Sequence, residues 1–271
     1  MRLPRPRSSA LPVLALCVAA CTTDSPEPSA TPAFEQTPTP ASAKHAHWTY
    51  EGATGPEHWA DLDPAYALAR TGTSQSPIDL VPSAATVTAG PALSVTWHPA
   101  PLALENNGHT VQVTPGPGGT LTVGADVYVL KQFHFHAPSE HTAEGKHAPL
   151  EVHFVHGDAA GNLAVLGLFV GEGAPNAALG FLTGHAPREK DTKAVPVDVM
   201  FDPTSLLPAS LATWRYSGSL TTPPCTEGVR WFVLQERTEA SGEQLAAWAA
   251  LLGGNNRPTQ PANGRSVESV R

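Results

Sequence analysis

The stretch that decides how this chain is read is Gln132-Phe133-His134-Phe135-His136, followed by Glu151-Val152-His153-Phe154-Val155-His156. Aromatic and β-branched residues alternate with polar ones in both, the pattern of strands. Residues i and i+2 of a strand point to one face. His134 and His136 therefore present two imidazoles to one point in space, and His153 on a neighbouring strand completes a triangle. A lone H-x-H in a strand is more often structural than a metal pair, and twelve histidines make chance pairing common. Three neutral imidazoles with an open fourth position are a different matter. They make a catalytic rather than a closed structural zinc site.

Outward from these strands the pattern is mainly β. Leu102–Leu104, His109–Val113 and Thr120–Val123 are short alternating runs, separated by turns such as Pro115-Gly116-Pro117-Gly118-Gly119. Leu163–Val170 is a continuous apolar run that suits a buried central strand. Helical signals are few. Leu206–Leu211 is a short candidate. Ser241–Leu252 is better, with Ser241 as a cap and Leu245, Trp248 and Leu252 at helical spacing. No internal repeat is visible.

The 271 residues carry a formal charge of −8. An acidic chain argues against nucleic acid as a partner, which demands basic patches. The N-terminus reads as targeting rather than fold. Arg2, Arg5 and Arg7 form a basic head, and Leu11–Ala20 is an apolar run too short to span a bilayer stably. Residues 22–44 are rich in Pro, Ser, Thr and Ala and offer little to bury, which suits a linker. The folded domain is expected over residues 45–271, beginning near His45-Ala46-His47-Trp48.

Two resemblances follow. Val18-Ala19-Ala20-Cys21 resembles the lipobox of bacterial lipoproteins, which implies a signal peptide over 1–20 and a diacylglycerol on Cys21. An ordinary signal peptide cut nearby, or an uncleaved anchor, is the alternative; Cys17 is a poorer site because Leu16 before it is too bulky. The resemblance implies a periplasmic or cell-surface protein, tethered to a bacterial membrane only through Cys21 and the 21–44 segment.

The second resemblance covers residues 45–271 and is to the α-class carbonic anhydrases in their bacterial secreted form. It rests on motifs in family order: His47-Trp48-x-Tyr50, Gln75-Ser76-Pro77-Ile78-Asp79, Asn106-Asn107-Gly108-His109 and Gln132-Phe133-His134-Phe135-His136. Ser139-Glu140-His141, Glu151-Val152-His153, Leu163-Ala164-Val165-Leu166-Gly167, Ser219-Leu220-Thr221-Thr222-Pro223-Pro224 and Asn256-Arg257-Pro258-x-Gln260-Pro261 continue it. The fold implied is α+β but mainly β: one domain on a large, mostly antiparallel twisted central sheet with a few short peripheral helices.

The chemistry implied is reversible hydration of carbon dioxide to bicarbonate. Zinc on His134, His136 and His153 lowers the pKa of its water from 15.7 to about 7, which makes hydroxide available at neutral pH. The resemblance assigns Gln132, the Asn255 carbonyl and Glu151 to hold His134, His136 and His153 respectively. The Glu151–His153 pair is also plausible from strand geometry, since the two share a face. Thr221 and Glu140 are implied as the orienting pair: a hydroxyl that donates to a carboxylate can only accept from the nucleophile. Taken alone, Thr221 reads as a turn residue and Glu140 as a surface acid. Val155, Val165, Leu220 and Trp231 match the apolar wall for carbon dioxide, though each read singly is ordinary core. His109 matches the proton shuttle, with Tyr50, Asn107 and Gln112 around its water path. His58, His98, His141, His147, His156 and His185 receive no role.

Two departures stand out. Cys225 keeps one half of the usual family disulfide, but its partner position is Ala69. Thr49 stands where the family has Gly, which puts the local backbone path in question. Two other readings remain: a copper/zinc superoxide dismutase, which demands more metal ligands and a disulfide, and a non-enzymatic carbonic anhydrase-related binding module, which typically lacks a zinc histidine. The sequence leaves a homodimer open.

Overall fold

The first strands form where short alternating runs end in turns: β1 (Asp79–Leu80), β2 (Thr86–Thr88), β3 (Leu93–Thr96), β4 (Ala100–Asn106), β5 (Val111–Pro115) and β6 (Thr120–Val123). The long β7 (Asp126–His136) follows, then the small pair β8 (Thr142–Ala143) and β9 (Lys146–His147), then β10 (Leu150–Gly157) and β11 (Leu163–Glu172). The chain closes with β12 (Val195–Phe201), β13 (Thr213–Ser219), β14 (Glu227–Leu234), β15 (Thr238–Ala240) and β16 (Glu268–Val270). The helices are α1 (Trp59–Leu62), α2 (Leu68–Thr71), α3 (Ala177–His185) and α4 (Gly242–Leu252). This computed structural model describes residues 45–190 and 192–271. The signal peptide, Cys21 and the linker expected over 21–44 lie outside the described residues.

Among the described residues, thirteen strands share one sheet, with the path β12-β4-β5-β7-β10-β11-β14-β13-β16-β2; β15 joins it beside β11, and β6 beside β7 with β3 outside it. Most pairs are antiparallel; β11–β14, β11–β15 and β16–β2 are parallel. That agrees with the expected mainly β fold and its predominantly antiparallel sheet. The central β11 is buried from both sides. Leu166, Leu168 and Val170 enter the larger core, and Val165 and Phe169 enter a smaller one with Ile78, Leu80, Tyr216 and Trp231. Burial on both faces is why this strand reads as an unbroken apolar run.

Register positions the histidines. In the antiparallel pair β7–β10, His153 lies directly opposite His134 and Glu151 opposite His136. Directly opposed side chains sit about 5 Å apart at Cβ. The intervening Phe133, Phe135, Val152 and Phe154 turn into the large core on the reverse face. There α4 packs Trp248 against Phe135, ring centroids 4.1 Å apart.

The helix α4 forms as its sequence indicates. Ser241 accepts from the Gln244 amide and Gln244 reaches back to the Ser241 amide, a capping box, and Gly253 ends the helix at φ 70°. Two expectations are corrected. Leu206–Leu211 is not a helix; a single 3-10 turn occupies Pro203–Leu206, capped by Asp202. Leu207 is extended there because Pro208 disfavours helical backbone in the residue before it. The strand expected from His109 begins only at Val111, because Asn107 Oδ1 accepts from the His109 and Thr110 amides and folds them into a turn. The helix α3, capped by Asn176, has no counterpart among the sequence expectations. Gly180 and Gly184 weaken its propensity, and its stability comes from Leu179 and Leu182 in the core.

Candidate metal centre

The side chains of His134, His136 and His153 offer one nitrogen each, all within 4.8 Å of one another. The outer nitrogen of each ring is already committed. His134 Nδ1 donates to Gln132 Oε1 at 2.8 Å, and His136 Nδ1 to the Asn255 carbonyl at 2.8 Å. His153 Nε2 donates to Glu151 Oε1 at 2.9 Å. By elimination, the inward nitrogens are Nε2 of His134 and His136 and Nδ1 of His153. Fixing the outer tautomer leaves a lone pair on each inward nitrogen, as a metal requires.

Burial holds the His134 imidazole well below its ordinary pKa, with His136 and His153 adding to the effect. His136 is lowered by burial as well. Burial also acts on His153, but Glu151 and Glu140 more than offset it and raise its pKa. Two carboxylates, Glu140 and Glu151, are wholly buried beside these rings. Neither forms a side-chain ion pair with Lys or Arg among the described residues.

The fit to a divalent cation follows from these groups. His136 Nε2 and Glu140 Oε2 are buried without a hydrogen-bond partner. They lie 3.5 Å apart, with Glu140 Oε2 3.8 Å from His153 Nδ1. Buried polar atoms are rarely left unpaired. A cation bound by the three inward nitrogens would compensate both the orphaned imidazole and the buried acids, and three imidazoles suit zinc.

Glu151 is the most heavily bonded residue of the centre. Its Oε1 accepts from His153 and from His141 Nδ1 at 2.7 Å. Its Oε2 accepts from the Glu140 and His141 amides at 2.8 and 2.9 Å. Burial works against its ionisation, but His141 and His153 outweigh that and hold its pKa well below the carboxylate range. His141, left without a role by sequence reasoning, is fully buried and continues the chain to Tyr216 Oη at 2.6 Å. Tyr216 in turn donates to Ser76 Oγ at 2.9 Å. The only cue in the sequence is its place beside Glu140, since the contact to Glu151 needs the β8–β9 hairpin to fold back.

The expected bond between Thr221 and Glu140 is not formed in this structure. Glu140 Oε1 accepts from the Arg257 amide at 2.8 Å instead, and Oε2 turns toward the histidine nitrogens. Thr221 itself is buried. Trp231 packs on the His153 ring at 4.8 Å, and Val165 and Trp231 are buried with half-buried Val155 and Leu220 against them. All four thus share the histidine face. His109 stacks on Trp48, centroids 3.7 Å apart and planes 8° from parallel. A cavity runs from His109 to His134 and His136, with Tyr50, Asn107, Gln112 and Gln132 in its wall. Gln112 also donates to Glu105 at 2.7 Å. The Asn107 carbonyl oxygen is spent on the turn, so it shapes the His109 loop as well as facing the cavity.

Comparison with known proteins settles the lineage. A family model described as eukaryotic-type carbonic anhydrase matches residues 54–271. The chain belongs to the α-carbonic anhydrase family. A carbonic anhydrase from Pectobacterium carotovorum is 43% identical over 229 residues, 82% of this chain and 90% of that one. The α-carbonic anhydrase of Thermovibrio ammonificans, solved with the inhibitor sulfanilamide, is 46% identical at a TM-score of 0.80, covering 82% and 99% of the two chains. Dioscorin complexed with ascorbate shares the fold at 30% identity and a TM-score of 0.77, covering 83% and 98%. Family membership removes the superoxide dismutase alternative.

The departures from the family pattern have structural accounts. Thr49 has no positive φ, and its hydroxyl bonds the Glu51 carbonyl and the Thr54 hydroxyl at 2.8 and 2.7 Å. Cys225 is free and fully buried. Arg257 ties the Ala69 end to the core without a disulfide, donating to Ala69 O, Gln75 Oε1 and Ser76 O.

Proposed function

We propose that this chain hydrates carbon dioxide reversibly to bicarbonate and a proton, at a zinc ion held by His134, His136 and His153. The observation that carries the reading is the convergence of three inward imidazole nitrogens beside two buried acids. Bound there, zinc supplies a Lewis acid that makes hydroxide available near neutral pH for attack on carbon dioxide.

The protein's own groups do the rest. Gln132, the Asn255 carbonyl and Glu151 fix the three rings, so the site costs little reorganisation when it is used. Thr221 and Glu140 orient the nucleophile once the Glu140 carboxylate accepts from the Thr221 hydroxyl, which leaves that oxygen only an accepting role. Val155, Val165, Leu220 and Trp231 give carbon dioxide, which has no net charge or dipole, an apolar wall for which water, finding no hydrogen bonds there, competes poorly. His109 takes the released proton through water along the cavity bordered by Tyr50, Asn107 and Gln112. An ordinary histidine titrates near pKa ~6.5 and so accepts and releases protons near neutrality.

Cys21 is the proposed lipid attachment point, placing the enzyme in the periplasm or on the cell surface. Mass analysis of the mature N-terminus tests it; an unmodified Cys21 in the exported protein rejects it. Stopped-flow hydration on the zinc-loaded protein, with and without chelator, tests the activity. Carbon dioxide hydration that requires zinc is the expected result. A fully zinc-loaded protein without hydration activity would return the chain to the binding-module reading.

A further inference from the structure

Away from the histidines, the reverse face of the same sheet carries two arginines side by side. On β13 and β14, Tyr216 and Trp231 point to the histidine face. Alternation sends Arg215, Ser217, Arg230 and Phe232 to the other. Register sets Arg215 opposite Phe232 and Ser217 opposite Arg230. Both guanidinium carbons lie beside the same ring, 5.5 and 5.4 Å from the Phe232 centroid. These residues line an open cavity of about 250 Å³.

Each guanidinium keeps donors in hand. Arg215 is 8% exposed and donates through Nε to Thr213 Oγ1 and through Nη1 to the Pro91 carbonyl, both at 2.8 Å. Arg230 uses Nη1 for Asp126 and Tyr128, both at 2.6 Å. A guanidinium has five N–H donors. Nη2 of both residues therefore has no protein acceptor among the described residues, and neither nitrogen is sealed from solvent. Two like charges beside one ring repel each other; Arg230 has Asp126 in an ion pair, whereas Arg215 has only Glu268, opposite it on β16 and outside ion-pair distance. Burial lowers the Arg215 pKa; Glu268 opposes that and Arg230 reinforces it. Glu268 borders the cavity but forms no ion pair with either arginine among the described residues.

We propose that this cavity is a second, non-catalytic binding site for a small oxyanion, a carboxylate or a phosphate, spanning Arg215 and Arg230. An oxyanion offers several acceptor oxygens to two planar donor forks, the geometry arginine serves best. Asp126 is committed to Arg230, while Arg215 makes no ion pair and faces only the exposed Glu268 opposite it on β16, and the Ser217 and Ser266 hydroxyls at the exposed rim can add neutral donors. The site depends on no metal chemistry and stands apart from the proposed activity.

Calorimetric titration of the zinc-loaded protein with inorganic phosphate and with acetate, at constant ionic strength held by chloride, tests it. Any binding at the metal centre is common to all variants and cancels. Arg215→Gln and Arg230→Gln should each raise the Kd for the tighter-binding probe at least ten-fold while hydration activity persists. Glu268→Gln should lower that Kd, a gain that a merely structural role would not produce. The tighter probe identifies the ligand class. Binding of neither probe, affinities unchanged in both arginine variants, or no tightening in Glu268→Gln would overturn the proposal.

Discussion

At the scale of single residues, the proposed reaction divides the site into groups that would hold the metal and groups that would steer the chemistry. His136 is the clearest holder, because its inward nitrogen is buried and otherwise unpartnered. His136→Ala should lose most of the bound zinc along with activity, and added zinc should raise the melting temperature of the parent chain but not that of the variant. Metal analysis with a thermal scan checks both. The steering pair calls for a different readout. Thr221→Ala should keep zinc and slow hydration by roughly ten- to a hundred-fold, if orientation contributes about 1.4–2.8 kcal/mol of barrier. Glu140→Gln should behave similarly, since an amide can donate where the carboxylate only accepts; wild-type turnover in both would remove the orienting role. For His109, the stack on Trp48 leaves the ring beside the cavity. His109→Ala should slow turnover most in weak buffer and regain part of it with imidazole, because an external base can replace a proton acceptor. A rate independent of buffer in both proteins would exclude His109 as the shuttle.

At the scale of elements, the loop bearing Thr221 is tied to the segment before β1 by side chains rather than by a disulfide. Glu227, at the start of β14, accepts from the Ser74 amide at 2.7 Å and from Gln75 Nε2 at 3.1 Å. Burial raises its pKa, but these bonds and Arg265 outweigh that and leave it lowered. A carboxyl with a folded pKa below its unfolded value stabilises the fold above the unfolded pKa, about 4.3 for glutamate. That stabilisation is lost as pH falls through the lower folded value. Glu227→Gln should therefore destabilise the protein near neutrality and flatten its stability curve below about pH 4.3, measured by denaturant midpoints across pH. An acid limb as steep as the parent's would show that Glu227 is not a significant contributor. Elements differ in how plainly they read. The helix α4 is written in local signals, a capping box and a terminal glycine. The Pro203–Leu206 turn and the late start of β5 hinge on Pro208 and Asn107, whose local constraints outweigh the apolar pattern around them.

At the scale of the whole molecule, Cys225 shows what the fold does with a half-kept disulfide. It is fully buried, and burial pushes its thiol up to about 11. A thiol is reactive as thiolate and when accessible. The mature protein should show almost no reactive thiol when native and one after denaturation, and should run as a monomer on non-reducing gels. A reductant-sensitive dimer would contradict this. The mainly β fold, the family, the helix α4 and the three histidines are legible along the chain, because strand alternation and motif order are local and one-dimensional. The sequence also points to Gln132, Glu151 and Asn255 as supports through the resemblance. Folding alone brings His141 between Glu151 and Tyr216, sets the Glu140 carboxylate on the Arg257 amide rather than on Thr221, and places Arg215 and Arg230 beside one ring. These contacts join residues brought together by register and by loops folding back. Neither leaves a period in the sequence, so burial and hydrogen-bond pairing in three dimensions select them.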